Sequence, residues 1–269
     1  MPNDRRALCV GINQFPFASV NQLNGCVNDA HDMAAVFREL VGFSPGDITV
    51  LTDQQATKAN ITAALRDMVN AARAGTVKYL VFSLSSHGTQ VPDFSGDEPD
   101  NKDEAFCTYD LAPGANGGWD VSRLLVDDEL RDLFLTLPAD VLLEVYLDTC
   151  HSGTGLREIS QRVARYAPPP DPAAAETLAA RTPRGLARSL AEGGTRPHIL
   201  WSACRADQSS IDDTFNGRPN GAFTYYWTRA MRASNNTRSR TQILEQVRAD
   251  LQAAGYNQEP LLQANATTT

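Results

Sequence analysis

The stretch Val77-Lys-Tyr-Leu-Val-Phe-Ser-Leu84, running on into Ser85-Ser86-His87-Gly88, decides how this chain is to be read. Its apolar residues are nearly continuous rather than alternating, the pattern of a strand covered on both faces. A second run of the same character, Leu142-Leu-Glu-Val-Tyr-Leu147, leads into Asp148-Thr149-Cys150-His151-Ser152-Gly153. Working outward, Arg6-Ala-Leu-Cys-Val-Gly11, Asp47-Ile-Thr-Val-Leu51 and His198-Ile-Leu-Trp-Ser202 read as further strands, with a short last one near Pro260–Gln263. Between them apolar residues recur at helical spacing. Ala30, Met33, Ala34, Phe37 and Leu40 mark a helix over Asn28–Leu40. Ile61, Leu65, Met68 and Val69 mark another, capped by Thr57 and reaching Ala74. Helices are also expected over Gly221–Ala233 and Arg240–Ala253. This alternation predicts an α/β sandwich with a mainly parallel sheet.

The chain has 269 residues, 42% hydrophobic and 21% charged, enough for a single large domain with a sizeable core. Asp and Glu outnumber Lys and Arg by 32 to 24, for a net charge of −8, so no basic stripe awaits phosphates and nucleic acid is not an expected partner. No apolar run approaches the roughly 18–20 residues of a membrane span. The start, Met1-Pro-Asn-Asp-Arg-Arg6, carries no leader pattern, so the expectation is a cytoplasmic monomer with no membrane contact. Five scattered cysteines (Cys9, Cys26, Cys107, Cys150 and Cys204) include no CxxC pair and read as reduced thiols. The four histidines lack metal-ligand spacing, which argues against zinc.

Two stretches interrupt the alternation. Residues 93–110 form an acidic loop containing Asp93, Asp97, Glu98, Asp100, Asp103, Glu104 and Asp110. Residues 157–196 are rich in Ala, Pro and Arg, and are expected to be a mobile linker. The linker would divide one domain, 1–269, into a front part of about 1–156 and a back part of 197–269.

Chemistry is expected where the two buried strands end, because the carboxyl edge of a parallel sheet faces the ligand crevice. Ser85-Ser-His87-Gly88 and Asp148-Thr-Cys150-His-Ser-Gly153 would meet there. A cysteine beside a histidine can hold a thiolate and return a proton to a leaving amine. Alternation along a strand puts Ser85 on the side of His87 and Asp148 on the side of Cys150, while His151 points away and reads as structural. A carboxylate next to the nucleophile is a natural partner for an Arg or Lys of a substrate. The Arg-rich linker adds the expectation that such an enzyme cuts itself there.

Gly25-Cys-Val-Asn-Asp29-Ala, Ser85-Ser-His87-Gly88, Asp148-Thr-Cys150-His-Ser-Gly153 and Ser202-Ala-Cys204-Arg-Ala-Asp207-Gln208 occur in the order found in metacaspases and their bacterial relatives. The chain resembles that family from Arg6 to Gln263. The resemblance implies a caspase-like three-layer α/β/α sandwich and a dyad of His87 and Cys150, cutting protein or peptide substrates after Arg or Lys. It further implies a primary pocket lined by Asp29 and Asp148 with Cys26 and Ser85 close by, and an oxyanion hole from the N–H groups of Gly88 and Cys150. Asp207 is carried as a further pocket contributor. No cofactor is required for the chemistry, but many relatives use calcium as an activator. Here its ligands would be Asp100 and Asp103 of the acidic loop with the pair Asp127-Asp128. Arg157 stands where many relatives place a calcium-binding Asp, and a guanidinium is a poor calcium neighbour, so calcium is left open. Two other readings stay in play: the same fold with a different primary specificity, and a catalytically silent scaffold.

Overall fold

The structure, a computed structural model, describes residues 4–92, 102–115, 117–150, 162–171, 186, 190 and 197–265. Six strands build the central sheet: β1 (Arg5–Gly11), β2 (Ile48–Thr52), β3 (Tyr79–Ser85), β7 (Leu142–Asp148), β9 (His198–Ser202) and β12 (Leu261–Ala264). Their order is β12-β9-β7-β3-β1-β2, parallel throughout except for β12, which runs antiparallel to β9.

Side chains on these strands alternate between two cores, as a period of two requires. Leu8 and Val10 of β1, with Leu80, Phe82 and Leu84 of β3, face α2 (Lys58–Arg73) and α3 (Asp127–Phe134). Ala7, Cys9 and Val81 face the other way, against α1 (Cys26–Val36), α4 (Ala222–Ser234) and α5 (Arg240–Ala253). Burial on both faces is why β3 and β7 read as continuous apolar runs. The result is the expected α/β/α sandwich. Thr57 caps α2 by accepting from the Asn60 N–H at 3.3 Å. A Cβ on Gly11 would collide with the Cys26 carbonyl, so glycine there lets α1 start directly over the end of β1. All five cysteines are free and buried. Among the described residues no helix is long and apolar enough to cross a membrane.

Two small antiparallel sheets were not anticipated. One is β4 (Gly88–Pro92), β5 (Lys102–Cys107) and β6 (Leu124–Val126). Part of the expected acidic loop is therefore strand, and Asp103 and Glu104 are buried rather than solvated. The other is β8 (Val163–Ala164), β10 (Ile211–Phe215) and β11 (Arg218–Gly221). Asn216 and Gly217 join β10 to β11 with positive φ at both residues, the turn for which Asn-Gly is the strongest hairpin signal.

The strand β8 also corrects the linker expectation. Residues 162–171 pack into the molecule, and Arg165 is fully buried. What fixes them is a set of backbone pairings and a guanidinium held by acids, neither of which composition reveals. His151, Arg157 and most of 172–196 lie outside the described residues.

Candidate active site

In the sheet register Ser85 of β3 lies opposite Asp148 of β7. His87 and Cys150 each follow by two residues, so both stand at the carboxyl edge on adjacent strands. Both are fully buried. His87 Nε2 lies 2.7 Å from the Asn21 carbonyl oxygen. A carbonyl only accepts, so Nε2 carries the proton and Nδ1, which has no hydrogen-bond partner among the described residues, is the bare nitrogen of the neutral ring. Burial lowers the ring's pKa to about 4, opposed in part by the bond to Asn21. Cys150 Sγ donates to the Gln208 carbonyl at 3.0 Å, and Cys204 Sγ approaches the same oxygen at 3.5 Å.

The cleft contains a segment of the chain itself. The Arg165 carbonyl accepts from the Gly88 N–H at 2.9 Å and from the Cys150 N–H at 3.2 Å. Two donors converging on one carbonyl oxygen beside a thiol form an oxyanion-hole arrangement. Upstream, the Arg165 N–H donates to the Ser210 carbonyl at 2.9 Å, and β8 pairs antiparallel with β10, Ala164 opposite Ile211 and Val163 opposite Asp212. Downstream, the Ala167 N–H donates to the Gly88 carbonyl at 3.0 Å. The backbone is thus gripped on both sides of the Arg165–Tyr166 bond, by the main-chain pairing that peptide-binding clefts use.

The Arg165 side chain enters a pocket of three buried carboxylates. Nη2 donates to Asp29 Oδ2 at 2.6 Å and to Asp212 Oδ1 at 2.8 Å. Nη1 lies 3.1 Å from both the Asp148 carbonyl oxygen and Asp148 Oδ1. Each acid is fixed from behind. Asp29 accepts from the Gly221 N–H at 2.9 Å and from Asn220 Nδ2 at 2.9 Å. Asp148 accepts from Ser210 Oγ at 2.5 Å and from the Thr224 hydroxyl and N–H, in the first turn of α4, at 2.7 and 3.1 Å. Asp212 accepts from the Asn24 N–H at 2.9 Å and the Gly25 N–H at 3.1 Å. A Cβ on Gly221 would sit 2.5 Å from Arg165 Nη1, so only glycine leaves room for the guanidinium.

Of the residues read from the sequence, the structure brings together His87, Gly88, Cys150, Asp29 and Asp148. Cys26 is fully buried and lies within electrostatic reach of Arg165, Asp29, Asp148 and Asp212; Ser85 is buried opposite Asp148. Asp207 is corrected. It is an exposed residue that pairs with Arg205 at 2.8 Å, pulled outward by a surface cation. The acid that reaches the pocket is Asp212, five residues on, which sequence reading missed. The Asn216-Gly217 hairpin signal would have made Ile211-Asp-Asp-Thr-Phe215 a strand and drawn attention to it.

The acidic residues assigned to calcium lie elsewhere. Ala105 pairs with Val126, which brings Asp103 and Glu104 alongside Asp127 and Asp128. Burial, followed by the charges of Glu104, Asp103 and Asp128, pushes the Asp127 carboxyl up to about 9. Asp127 Oδ1 is buried without a hydrogen-bond partner among the described residues, and Asp128 pairs with Arg131 at 2.6 Å. Among the described residues no three acidic, His or Cys side chains converge as a metal cage; Asp100 lies outside those residues. The surroundings of Asp127 fit a cation, because positive charge would relieve both the crowding and the orphaned oxygen.

A parallel sheet between helices, with a buried cysteine and histidine at its carboxyl edge, defines a caspase-like fold. The model of the caspase domain, the peptidase C14 family, matches residues 4–269. The chain belongs to that family. It is 32% identical to metacaspase-1 of Coccidioides immitis over 96% of this chain and 61% of the relative. It is 30% identical to metacaspase-1 of Emericella nidulans over 97% of this chain and 70% of that protein. The chain thus spans about three fifths of the first of these relatives. A crystal structure of a Geobacter sulfurreducens protein superposes with a TM-score of 0.66 at 26% identity, covering 97% of this chain and 93% of the other. Caspase-1 of Spodoptera frugiperda, at 13% identity and a TM-score of 0.59 over 97% and 88% of the two chains, shares the fold.

Proposed function

We propose that this chain is a cysteine endopeptidase that hydrolyses the peptide bond after Arg, and less efficiently Lys, and that Arg165–Tyr166 is its own first substrate. The observation that carries this reading is the double placement of Arg165. Its guanidinium lies among Asp29, Asp148 and Asp212 while its carbonyl oxygen lies between the N–H groups of Gly88 and Cys150. One residue occupies both the specificity pocket and the oxyanion hole.

The chemistry follows from these positions. The Cys150 thiol gives its proton to His87 Nδ1, and Sγ attacks the carbonyl carbon after the arginine. Negative charge develops on the oxygen and is met by the Gly88 and Cys150 N–H groups. The C–N bond breaks, Nδ1–H protonates the leaving amine, and an acyl-enzyme remains. Water adds to that thioester with His87 as base, releasing the new carboxyl group and restoring the thiol. The bond from Nε2 to Asn21 keeps the ring in the tautomer this relay needs. Arg is favoured over Lys because the acceptors are spread around two terminal nitrogens of a planar fork, a geometry one ammonium cannot match.

Intact mass spectrometry of the purified chain tests the self-cleavage. Fragments 1–165 and 166–269 are expected, at a first-order rate independent of protein concentration, and none from Cys150→Ala. A chain that stays whole while hydrolysing Arg peptides would remove the self-cleavage and keep the peptidase.

Calcium, if it activates this enzyme, would be held near Asp127 with Asp103, Glu104 and Asp128, supplying charge neutralisation rather than chemistry. Asp127 keeps its proton in the folded state to about pH 9, whereas an unfolded Asp releases it near pH 4. Folding therefore takes up a proton between those values, and stability falls as pH rises across that window. Calorimetry should give a lower Tm at pH 8.5 than at pH 6 from this group, and calcium should restore a few degrees at the higher pH. Asp127→Asn should flatten both effects. A Tm indifferent to calcium would make the cluster a structural one.

A further inference from the structure

Three residues before the arginine in the primary pocket lies a second arginine, and it too is held. Arg162 continues the pairing of β8 with β10, and the register of Ala164 with Ile211 and Val163 with Asp212 sets it opposite Asp213. Arg162 Nε donates to Asp213 Oδ2 at 3.0 Å, and Nη1 donates to the Gly255 carbonyl at 3.3 Å. Its guanidinium carbon stands 4.3 Å from the centre of the Tyr256 ring. Carboxylate, carbonyl and aromatic face together match the three ways a guanidinium is recognised: charge, planar donors and a flat cation.

This site does not depend on Arg162 for its shape. The Tyr256 hydroxyl donates to Asp213 Oδ2 at 2.7 Å, locking the turn after α5 to β10. Tyr256 is itself buried and packs near Phe215 and Tyr226, with ring centres 6.2 and 6.3 Å away. Asp213 is 15% exposed and Arg162 35%, so the site is a rim pocket that an incoming side chain can reach from solvent. It is separate from the primary pocket. The neighbouring acid Asp212 points the opposite way along the strand, into that pocket, and the alternation of β10 distributes the two acids between two subsites.

We infer that Asp213, Tyr256 and the Gly255 carbonyl form a second specificity subsite, which selects substrates carrying Arg at the third position before the cleaved Arg. The inference rests on the proposed peptidase function, since it takes residues 162–165 to lie as a substrate lies. It extends that function from single-residue specificity to an Arg-x-x-Arg pattern. In the alternative, Arg162–Asp213 is only a cross-strand pair that fastens this segment.

The two are separated with reporter peptides Arg-Val-Ala-Arg and Ala-Val-Ala-Arg, each acetylated and ending in a chromogenic amide, assayed on the full chain. Both compete with the same internal segment, so their kcat/KM ratio reports the subsite alone. About a tenfold preference for the first peptide is expected, from one ion pair with a cation–π contact, and it should shrink in 0.5 M salt. In Asp213→Asn the ratio should fall toward one. In Tyr256→Phe, which keeps the ring but loses the hydroxyl that orients Asp213, an intermediate ratio is expected. In Asp213→Lys a Glu-Val-Ala-Arg peptide should overtake the Arg-Val-Ala-Arg peptide, an inversion that misfolding cannot produce. Equal turnover of both peptides by the wild-type chain would overturn the subsite and leave the primary specificity standing. Turnover of neither would count against the peptidase function itself.

Discussion

Cys150→Ala should lower kcat/KM for an Arg-ending peptide reporter by about 10⁴-fold or more, leaving only what binding and the oxyanion hole contribute. The size of the effect comes from chemistry rather than packing. Alanine removes the only atom that can form the acyl-enzyme, while the Cys150 N–H that meets the carbonyl oxygen stays in place. The variant should therefore stay uncleaved, with Arg165 still held in pocket and hole, because both are untouched. His87→Gln should fall nearly as far, since Nδ1 is the nitrogen left bare by the bond from Nε2 to Asn21. Burst kinetics with a chromogenic substrate check both. Wild-type-like turnover by Cys150→Ala would end the assignment of the nucleophile.

The second large effect concerns the primary pocket. Asp212→Asn and Asp29→Asn should each cost about 10–100-fold in kcat/KM on Arg peptides, the expected loss for a charged hydrogen bond in a buried site. The double variant should cost more than either. Asparagine keeps an oxygen for the N–H groups of Gly221, or of Asn24 and Gly25, so the backbone frame is retained while charge is lost. The pH profile supplies an independent readout. Burial raises the Asp29 carboxyl to about 7, against the pull of Arg165 and with the push of Asp148. An acid with a raised pKa gives up its charge at higher pH than a free Asp, so kcat/KM should decline as pH falls through about 7. Asp29→Asn should flatten that limb. The lower pKa of His87, about 4, keeps the base neutral across the same range. A profile unchanged by Asp29→Asn would place the titrating group elsewhere.

Three acids around one buried cation are an expensive arrangement in a folded chain. Desolvation of such groups is repaid only where geometry and further hydrogen bonds are good. Among the described residues nine contacts to backbone and side-chain donors hold the three carboxylates, counting both oxygens where one donor reaches both. A pocket so prepared for a guanidinium would be left with unbalanced charge without one, which accounts for the chain placing its own Arg165 there.

Much of this protein was legible in the sequence because it rests on local patterns. Continuous apolar strands and period-3.6 helices implied an α/β sandwich with a mainly parallel sheet, and each strand's last residues carried His87, Gly88, Asp148 and Cys150 to one edge. Alternation alone put Asp148 beside Cys150. Tertiary structure decided what depends on chain segments meeting from afar. Asp212 reaches Arg165 across 47 residues, and Arg165 reaches Asp29 across 136, separations no local pattern encodes. Composition suggested that residues 162–171 were spacer, because Arg and Pro are common in linkers; folding made Arg165 a fully buried side chain held by three acids. The division between Asp207, drawn to Arg205 at the surface, and Asp212, turned inward by a hairpin, likewise belongs to the fold. Periodicity can assign a face to a residue within its own element, but only packing says which other element that face will meet.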